Sequence, residues 1–143
     1  MTTSLIKPLY TARATATGGR AGHAVSDDGV LDLDLKPPTE MGGPGGATNP
    51  EQLFAAGYAA CFHSALKLVA GQQKLDVTGT EISASVGIGA LETGGFGLTV
   101  ALVIYAPKLD KPAAESLAQA AHAVCPYSNA TRGNIEVTLS VVE

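Results

Sequence analysis

An α+β domain with mostly antiparallel pairing is what this sequence predicts, on three observations. Apolar and polar residues alternate in several segments, the mark of strands with one wet face. Two other stretches carry the start signals of helices. The order is strands, helix, strands, helix, strand, which is not the regular alternation of a parallel βαβ sheet. The 143 residues fit a single domain, residues 1–143. With 45% apolar and 15% charged residues, the chain has enough apolar surface for a core and too little charge for disorder.

The elements follow in order. A first strand is plausible around Leu9–Ala16. Ser26-Asp27-Asp28-Gly29 supplies turn residues, and Leu31, Leu33 and Leu35 alternate with Asp32 and Asp34. A hairpin pairing residues 22–26 with 30–35 is expected. Gly42-Gly43-Pro44-Gly45-Gly46 reads as a flexible loop, since no Gly-Lys-Ser/Thr follows to make a phosphate cradle. Asn49-Pro50-Glu51-Gln52 starts a helix: Asn49 can cap, Pro50 suits the first helical position, and Gln52 sits where a capping box wants it. This helix is expected to run to about Ala70, with Gly71 as its stop. It carries no charge between Glu51 and Lys67. A helix apolar all round must be surrounded by protein, which suggests a central helix covered by a sheet and by a second chain. Further strands are expected over residues 78–90 and 97–105, with Gly87 and Gly89 packed closely against a neighbour. Asp110-Lys111-Pro112 opens a second helix that Pro126 ends, and Ile135, Val137, Leu139 and Val141 form a last strand.

Charge and hydropathy narrow the function classes. Thirteen acidic against nine basic residues give a net charge of −4, and no Lys/Arg cluster is present to neutralise phosphates. Nucleic acid is therefore not an expected partner. Charge-free runs such as residues 93–107 fall short of the ~20 residues of a membrane helix. No apolar leader is visible in the first twenty residues. A soluble cytoplasmic protein without membrane insertion is the expectation. Cys61 and Cys125, 64 positions apart, do not make a disulfide framework, and in a reducing compartment such a pair can be two inert buried thiols.

Three chemistries compete for these residues. Cys61-x-His63 and His122-x-x-Cys125 hold the residue types of a zinc site. However, residues two apart on a helix diverge by roughly 200°, so Cys61 and His63 would not share one ion. A cysteine hydrolase would need His122 or His23 as base, without a local signature to support it. A redox pair needs a thiolate, a cation to stabilise it and a second thiol. Cys61 lies mid-helix, away from the helix N-terminus, and burial alone would raise its pKa. A catalytic Cys61 therefore needs a cation from elsewhere. Arg13, Arg20, Arg132 and the lysines are the candidates, and Arg20 stands out behind Gly18-Gly19 in a charge-poor segment.

Ordered motifs extend over almost the whole chain. They are Ala16-Thr17-Gly18-Gly19-Arg20, Ser26-x-Asp28-Gly29-x-Leu31, the run from Thr48 through Cys61 to Phe62, Gly94-Gly95-Phe96-Gly97-Leu98, and the run from Val124 through Cys125 to Asn134. With these motifs the sequence resembles the organic hydroperoxide resistance (Ohr) family of the Ohr/OsmC superfamily. The second cysteine run favours Ohr proper over its OsmC relatives.

The resemblance implies an Ohr/OsmC-like fold, with mostly antiparallel sheets wrapped around central helices in an intertwined homodimer. It implies a thiol-dependent peroxidase for alkyl and fatty-acid hydroperoxides, reduced by a dithiol such as a lipoylated protein, with no metal, haem or flavin. By the same resemblance Cys61 is the peroxidatic and Cys125 the resolving cysteine, with a Cys61–Cys125 disulfide between them, and Arg20 and Glu51 complete the active site. An OsmC-type peroxidase and a hydroperoxide- or lipid-sensing binding protein are the alternatives. Around Cys61 the sequence is apolar, so Phe54, Tyr58, Phe62 and Phe96 are candidate substrate contacts. Glu51 and Cys61 are ten residues apart on one expected helix, ~15 Å along its axis. Antiparallel packing of two such helices about a two-fold would bring the Glu51 of one chain to the Cys61 of the other.

Overall fold

The structure is a computed structural model and describes Thr2 and residues 4–143. It is α+β, and its described residues form two compact units, one ending at Pro50 and one running from Glu51 to Glu143.

In the first unit, β1 (Ala14–Thr17), β2 (His23–Ser26) and β3 (Asp32–Asp34) form an antiparallel sheet in that order. The expected hairpin is present, with His23 opposite Asp34 and Val25 opposite Asp32. Its turn is held by Ser26 and Asp28. The Asp28 carboxylate accepts from Ser26 Oγ (2.6 Å) and from the Val30 N–H (3.0 Å), which lowers its pKa. The first strand begins at Ala14, later than expected, and residues 9–13 are not in a strand. The Gly-rich segment is a hydrogen-bonded turn where a flexible loop was expected. Gly43 N–H donates to the Pro38 carbonyl and Gly45 N–H to that of Pro37 (both 3.0 Å), and a side chain on Gly43 would collide with Pro37.

The second unit starts with the long helix α1 (Pro50–Gln73), beginning at the proline the sequence marked. Its sheet has the order β4–β5–β6, from Glu81–Ala90, Phe96–Tyr105 and Val137–Val142. The β4–β5 pair is an antiparallel hairpin. The β5–β6 pair is parallel, so a crossover must join its strands. That crossover carries α2 (Lys111–Val124) and a short α3 (Pro126–Thr131). Asp110 caps α2, its carboxylate accepting from the Ala113 N–H at 2.9 Å. The core joins Tyr58, Phe62 and Leu66 of α1 with Leu102 and Ile104 of β5 and Leu117 and Ala121 of α2. Along β4, Ile82, Ala84, Val86 and Ile88 turn inward while Glu81, Ser83 and Ser85 face water. Gly87 faces Thr99, whose hydroxyl a side chain there would meet at 2.8 Å.

Two helix boundaries differ from expectation. Pro126 ends α2 but also opens α3, because a missing N–H is harmless at the first helical position. Gly71 does not stop α1; the helix continues to Gln73. The stop is a Schellman motif, in which Leu75 N–H reaches the Ala70 carbonyl (2.9 Å) and Lys74 N–H that of Gly71 (3.3 Å). Leu75 then packs on the core beside buried Ala70, and that contact fixes the end point.

At 24 residues α1 is long and apolar enough to cross a bilayer, beyond what charge-free runs indicated, yet Tyr58, Phe62 and Leu66 on it are fully buried in protein. Its opposite side is open in the chain: Ala56, Ala60, Ser64 and Leu68 form an exposed stripe one turn apart. The expected complete enclosure of this helix is therefore not reached within one chain.

Lys74 adopts φ 57°, the left-handed conformation that favours glycine. Relieving it outweighs the added freedom of the unfolded chain, so Lys74→Gly is expected to raise stability by roughly 0.5–1 kcal/mol. Thermal or urea unfolding measures this, and a lower midpoint would contradict it.

A candidate two-cysteine site

The second unit brings the two cysteines together across 64 positions of sequence. The Cys125 thiol donates toward the Cys61 sulfur at 3.7 Å, and both cysteines are free thiols. Cys61 is half-buried on α1 and Cys125 fully buried. Cys125 is also the residue before α3, and its thiol is not used to cap that helix.

The approach depends on a helix contact that Gly57 permits. Phe54, Gly57, Tyr58 and Cys61 share a face of α1, three to four residues apart. The Tyr127 ring of α3 lies against Gly57, where an added methyl would come within 2.8 Å of the Tyr127 hydroxyl. Tyr127 also meets Phe54 edge-on at 5.9 Å and Tyr58 at 5.6 Å between ring centres, arrangements aromatic quadrupoles favour. Below this contact runs a polar chain. Tyr58 Oη pairs with Ser128 Oγ (2.9 Å) and Thr131 Oγ1 (3.1 Å), and Ser128 Oγ pairs with His122 Nδ1 (2.7 Å). Burial and the nearby Arg132 charge push the His122 pKa down, which favours the neutral ring.

The surroundings of Cys61 within this unit push its pKa up. Burial is the largest cause of its raised pKa, and the Cys125 thiol adds to it. The Tyr127 backbone N–H opposes the shift. Cys61 does lie mid-way along α1, as expected, and the amide that reaches it comes from the first turn of a different helix, α3. The sequence could have indicated it, since Cys125-Pro126 is a helix-start pattern.

The other predicted residues are placed as follows. Arg20 lies in the first unit, in the 3₁₀ turn Gly19–Ala21 between β1 and β2. Gly18 (φ 75°) and Gly19 (φ 61°) are both left-handed, and any side chain on Gly22 would strike the Thr17 carbonyl. Glu51 is half-buried in the first turn of α1, ten residues from Cys61. Phe54 joins the Tyr127 cluster. Tyr58 and Phe62 are fully buried core residues, and the Tyr58 hydroxyl is committed to Ser128 and Thr131. Phe96 is the first residue of β5 and 77% exposed.

Of the other candidates, Arg132 is tied to α2 and α3, donating to the His122 carbonyl and, at 2.7 Å, to Asn129 Oδ1. Arg13 faces Asp27 at 3.8 Å on the surface. His23 contacts Asp34 (2.8 Å) and Asp32 through its two ring nitrogens, and its raised pKa comes from these carboxylates. His63 does not join the cysteines, and no group of three or more metal-ligating side chains occurs among the described residues. Tyr127 and Ser128 are the site neighbours that the sequence did not single out, and His122, weighed there as a metal ligand or a base, instead pairs with Ser128.

Known proteins share this arrangement of chain and fold. The OsmC-like protein family matches residues 43–140. An organic hydroperoxide resistance protein of Xanthomonas axonopodis pv. citri is 61% identical over 137 residues, spanning 94% of this chain and 96% of that protein. The organic hydroperoxide resistance protein OhrB of Bacillus subtilis is 51% identical over 134 residues, spanning 93% of this chain and 98% of that protein. The crystal structure of an organic hydroperoxide resistance protein from Legionella pneumophila matches with a TM-score of 0.92 at 53% identity, covering 96% of this chain and 100% of that one. Two cysteines side by side in this fold, at these identities over nearly the full length, establish that the chain belongs to the organic hydroperoxide resistance (Ohr) family of OsmC-like proteins.

Proposed function

We propose that this protein is a thiol peroxidase that reduces organic hydroperoxides to alcohols. The observation that carries the reading is the 3.7 Å approach of the Cys61 and Cys125 sulfurs, which suits a nucleophile and its resolving partner. Family membership implies a role in organic hydroperoxide resistance. In the proposed cycle the Cys61 thiolate attacks the outer peroxide oxygen. The O–O bond breaks, the alkoxide takes a proton and leaves as alcohol, and Cys61 becomes a sulfenic acid. Cys125 then displaces the sulfenic hydroxyl as water and forms a disulfide with Cys61, which a dithiol such as a lipoylated protein reduces. The half-buried Cys61 is the accessible partner and thus the nucleophile.

Because burial raises the Cys61 pKa, the reading requires a cation, and Arg20 is the proposed one. Glu51 orients the guanidinium through a paired carboxylate in this scheme. The exposed Ala56, Ala60, Ser64 and Leu68 stripe of α1 suits a second copy of the chain, so the working form is a homodimer. The compartment proposed is the cytoplasm, where dithiols are kept reduced. Phe54 beside Tyr127 offers the apolar wall for a substrate chain; exposed Phe96 is a second candidate, while Tyr58 and Phe62 back the site from the core.

The direct test is turnover with a dithiol reductant. Wild type should reduce alkyl hydroperoxides with a higher kcat/KM than hydrogen peroxide, since apolar burial contributes ~25 cal/mol per Å². Cys61→Ser should abolish turnover. Cys125→Ser should react once and then over-oxidise at Cys61. Mass spectrometry after one equivalent of peroxide should find the Cys61–Cys125 disulfide in wild type. Peroxide consumed with two free thiols remaining would sink this mechanism. Binding without turnover would instead favour a sensor, and better turnover with hydrogen peroxide an OsmC-type balance.

A pH profile tests the cation. The thiolate is the reactive form, so the rate rises as pH passes the Cys61 pKa. Removing a stabilising cation raises that pKa. Arg20→Ala should therefore move the acidic limb of single-turnover kcat/KM upward by roughly one to three units. An unmoved limb would remove Arg20 from this role.

Mixed dimers test whether Glu51 acts on the partner's cysteine. A Cys61→Ser chain paired with a Glu51→Ala chain would keep about half the activity if Glu51 acts across the interface, because one site then carries both defects. Nearly complete loss would place Glu51 in its own chain's site.

A further inference from the structure

α3 has only six residues, too few to hold a helix by its own hydrogen bonds. Its position is set by contacts to the rest of the unit, and the buried ones are polar. Ser128, fully buried, pairs with Tyr58 Oη on α1 at 2.9 Å and with His122 Nδ1 on α2 at 2.7 Å. It thus joins α3 to both longer helices. Thr131 adds a second contact to Tyr58 at 3.1 Å and donates to the Ser128 carbonyl at 3.2 Å. The chain is satisfied in two directions. With Nδ1 unprotonated, Ser128 donates to His122 and Tyr58 donates to Ser128. With Nδ1 protonated, His122 donates to Ser128, Ser128 to Tyr58, and Tyr58 to Thr131. The heavy atoms need not move between these states, so the tie does not depend on the His122 tautomer. Cys125 immediately precedes α3, three residues before Ser128. Ser128 therefore holds the start of α3, where Cys125, itself buried in the core, joins that helix to α2.

We infer that the buried His122–Ser128–Tyr58 chain is a positioning device for the resolving step, holding the Cys125 sulfur within reach of Cys61. This rests on the thiol peroxidase reading above. In the step itself the Cys125 sulfur bonds to the Cys61 sulfur and the Cys61 S–O bond breaks. The Cys125 proton leaves with the hydroxyl as water; Cys125 is oxidised and the sulfenic sulfur is reduced to the disulfide level. The S–S bond must form faster than a second peroxide attacks the sulfenic acid. A Cys125 thiol displaced along with a shifted start of α3 would lose that competition. His122, Ser128 and Tyr58 touch neither sulfur through these hydrogen bonds, so their effect is on the Cys125 position and not on the first oxidation.

The test separates the two steps in single turnover with an alkyl hydroperoxide. Rapid quenching with dimedone and an alkylating reagent, read by mass spectrometry, gives the rates of sulfenic acid and disulfide formation and the yield of sulfinic acid. Ser128→Ala and His122→Leu should leave sulfenic acid formation within about twofold of wild type. They should slow disulfide formation about tenfold, the scale set by losing a buried hydrogen bond, and raise the sulfinic yield. His122→Asn places an oxygen acceptor near the Nδ1 position and should restore most of the disulfide rate, which a merely structural role would not predict. His122 is half-buried, so its variants serve if Ser128→Ala does not fold. Disulfide formation at the wild-type rate in His122→Leu, or equal slowing in His122→Leu and His122→Asn, would overturn the inference. If wild type itself formed no Cys61–Cys125 disulfide, the peroxidase reading would fail first, and the two failures are told apart by that control.

Discussion

The close approach of a six-residue helix to α1 is the constraint on which the cysteine site depends. It requires a residue without a side chain at position 57, because the Tyr127 ring occupies that space. It also requires that the buried Tyr58 hydroxyl find a partner, and Ser128 and Thr131 supply two. A buried hydroxyl left unpaired costs on the order of 1–3 kcal/mol, so packing and polar pairing select the same position for α3. With that position set, Cys125 and Cys61 stand 3.7 Å apart, and the Tyr127 N–H bears on the Cys61 sulfur.

The same packing creates an electrostatic difficulty. Bringing the thiols together in a partly apolar place makes Cys61 harder to ionise, because burial and the neighbouring thiol both favour the neutral form. One backbone amide does not reverse this. A protein that uses Cys61 as a nucleophile must add positive charge from another part of the molecule. Arg132, the cation nearest in sequence to Cys125, is tied to the His122 carbonyl and to Asn129, where it joins the ends of α2 and α3. Arg20 is presented quite differently, on a turn whose backbone only glycine tolerates at Gly18, Gly19 and Gly22. Three such positions around a single arginine specify its backbone setting closely.

The long helix shows how one element serves two purposes. The side bearing Tyr58, Phe62 and Leu66 is core, while Ala56, Ala60, Ser64 and Leu68 lie open. Small residues on the open side permit close helix approach, and Leu68, 61% exposed, is costly to leave in water. A helix without charge between Glu51 and Lys67 and with one uncovered side explains why the sequence asked for more surrounding protein than a single chain provides.

Local patterns settled much of this protein in advance. The helix start at Asn49-Pro50, the hairpin turn at Ser26–Gly29, the alternation in β4 and the Asp110 cap are all short-range signals, and each element formed near its expected place. The α+β class followed from their order, and the motifs around Cys61 and Cys125 pointed to the family. What local pattern did not supply was anything decided by contacts between distant residues. Gly71 looked like a stop, but Leu75 packing on the core carried α1 to Gln73. Pro126 looked like an end and was also a beginning, because crossover geometry put a new helix there. Tyr58 and Phe62 read as candidate substrate contacts from their nearness to Cys61 in sequence, and only the packing of α1 against β5 and α2 shows that both side chains are fully buried. The pairing of Tyr58 with Ser128 joins residues 70 positions apart, and that of the two thiols residues 64 apart. Sequence by itself determined which elements form and which residue types can do chemistry. Only the tertiary structure decided which of those residues meet, because hydrogen-bond pairing and close packing act through space and carry no fixed sequence spacing.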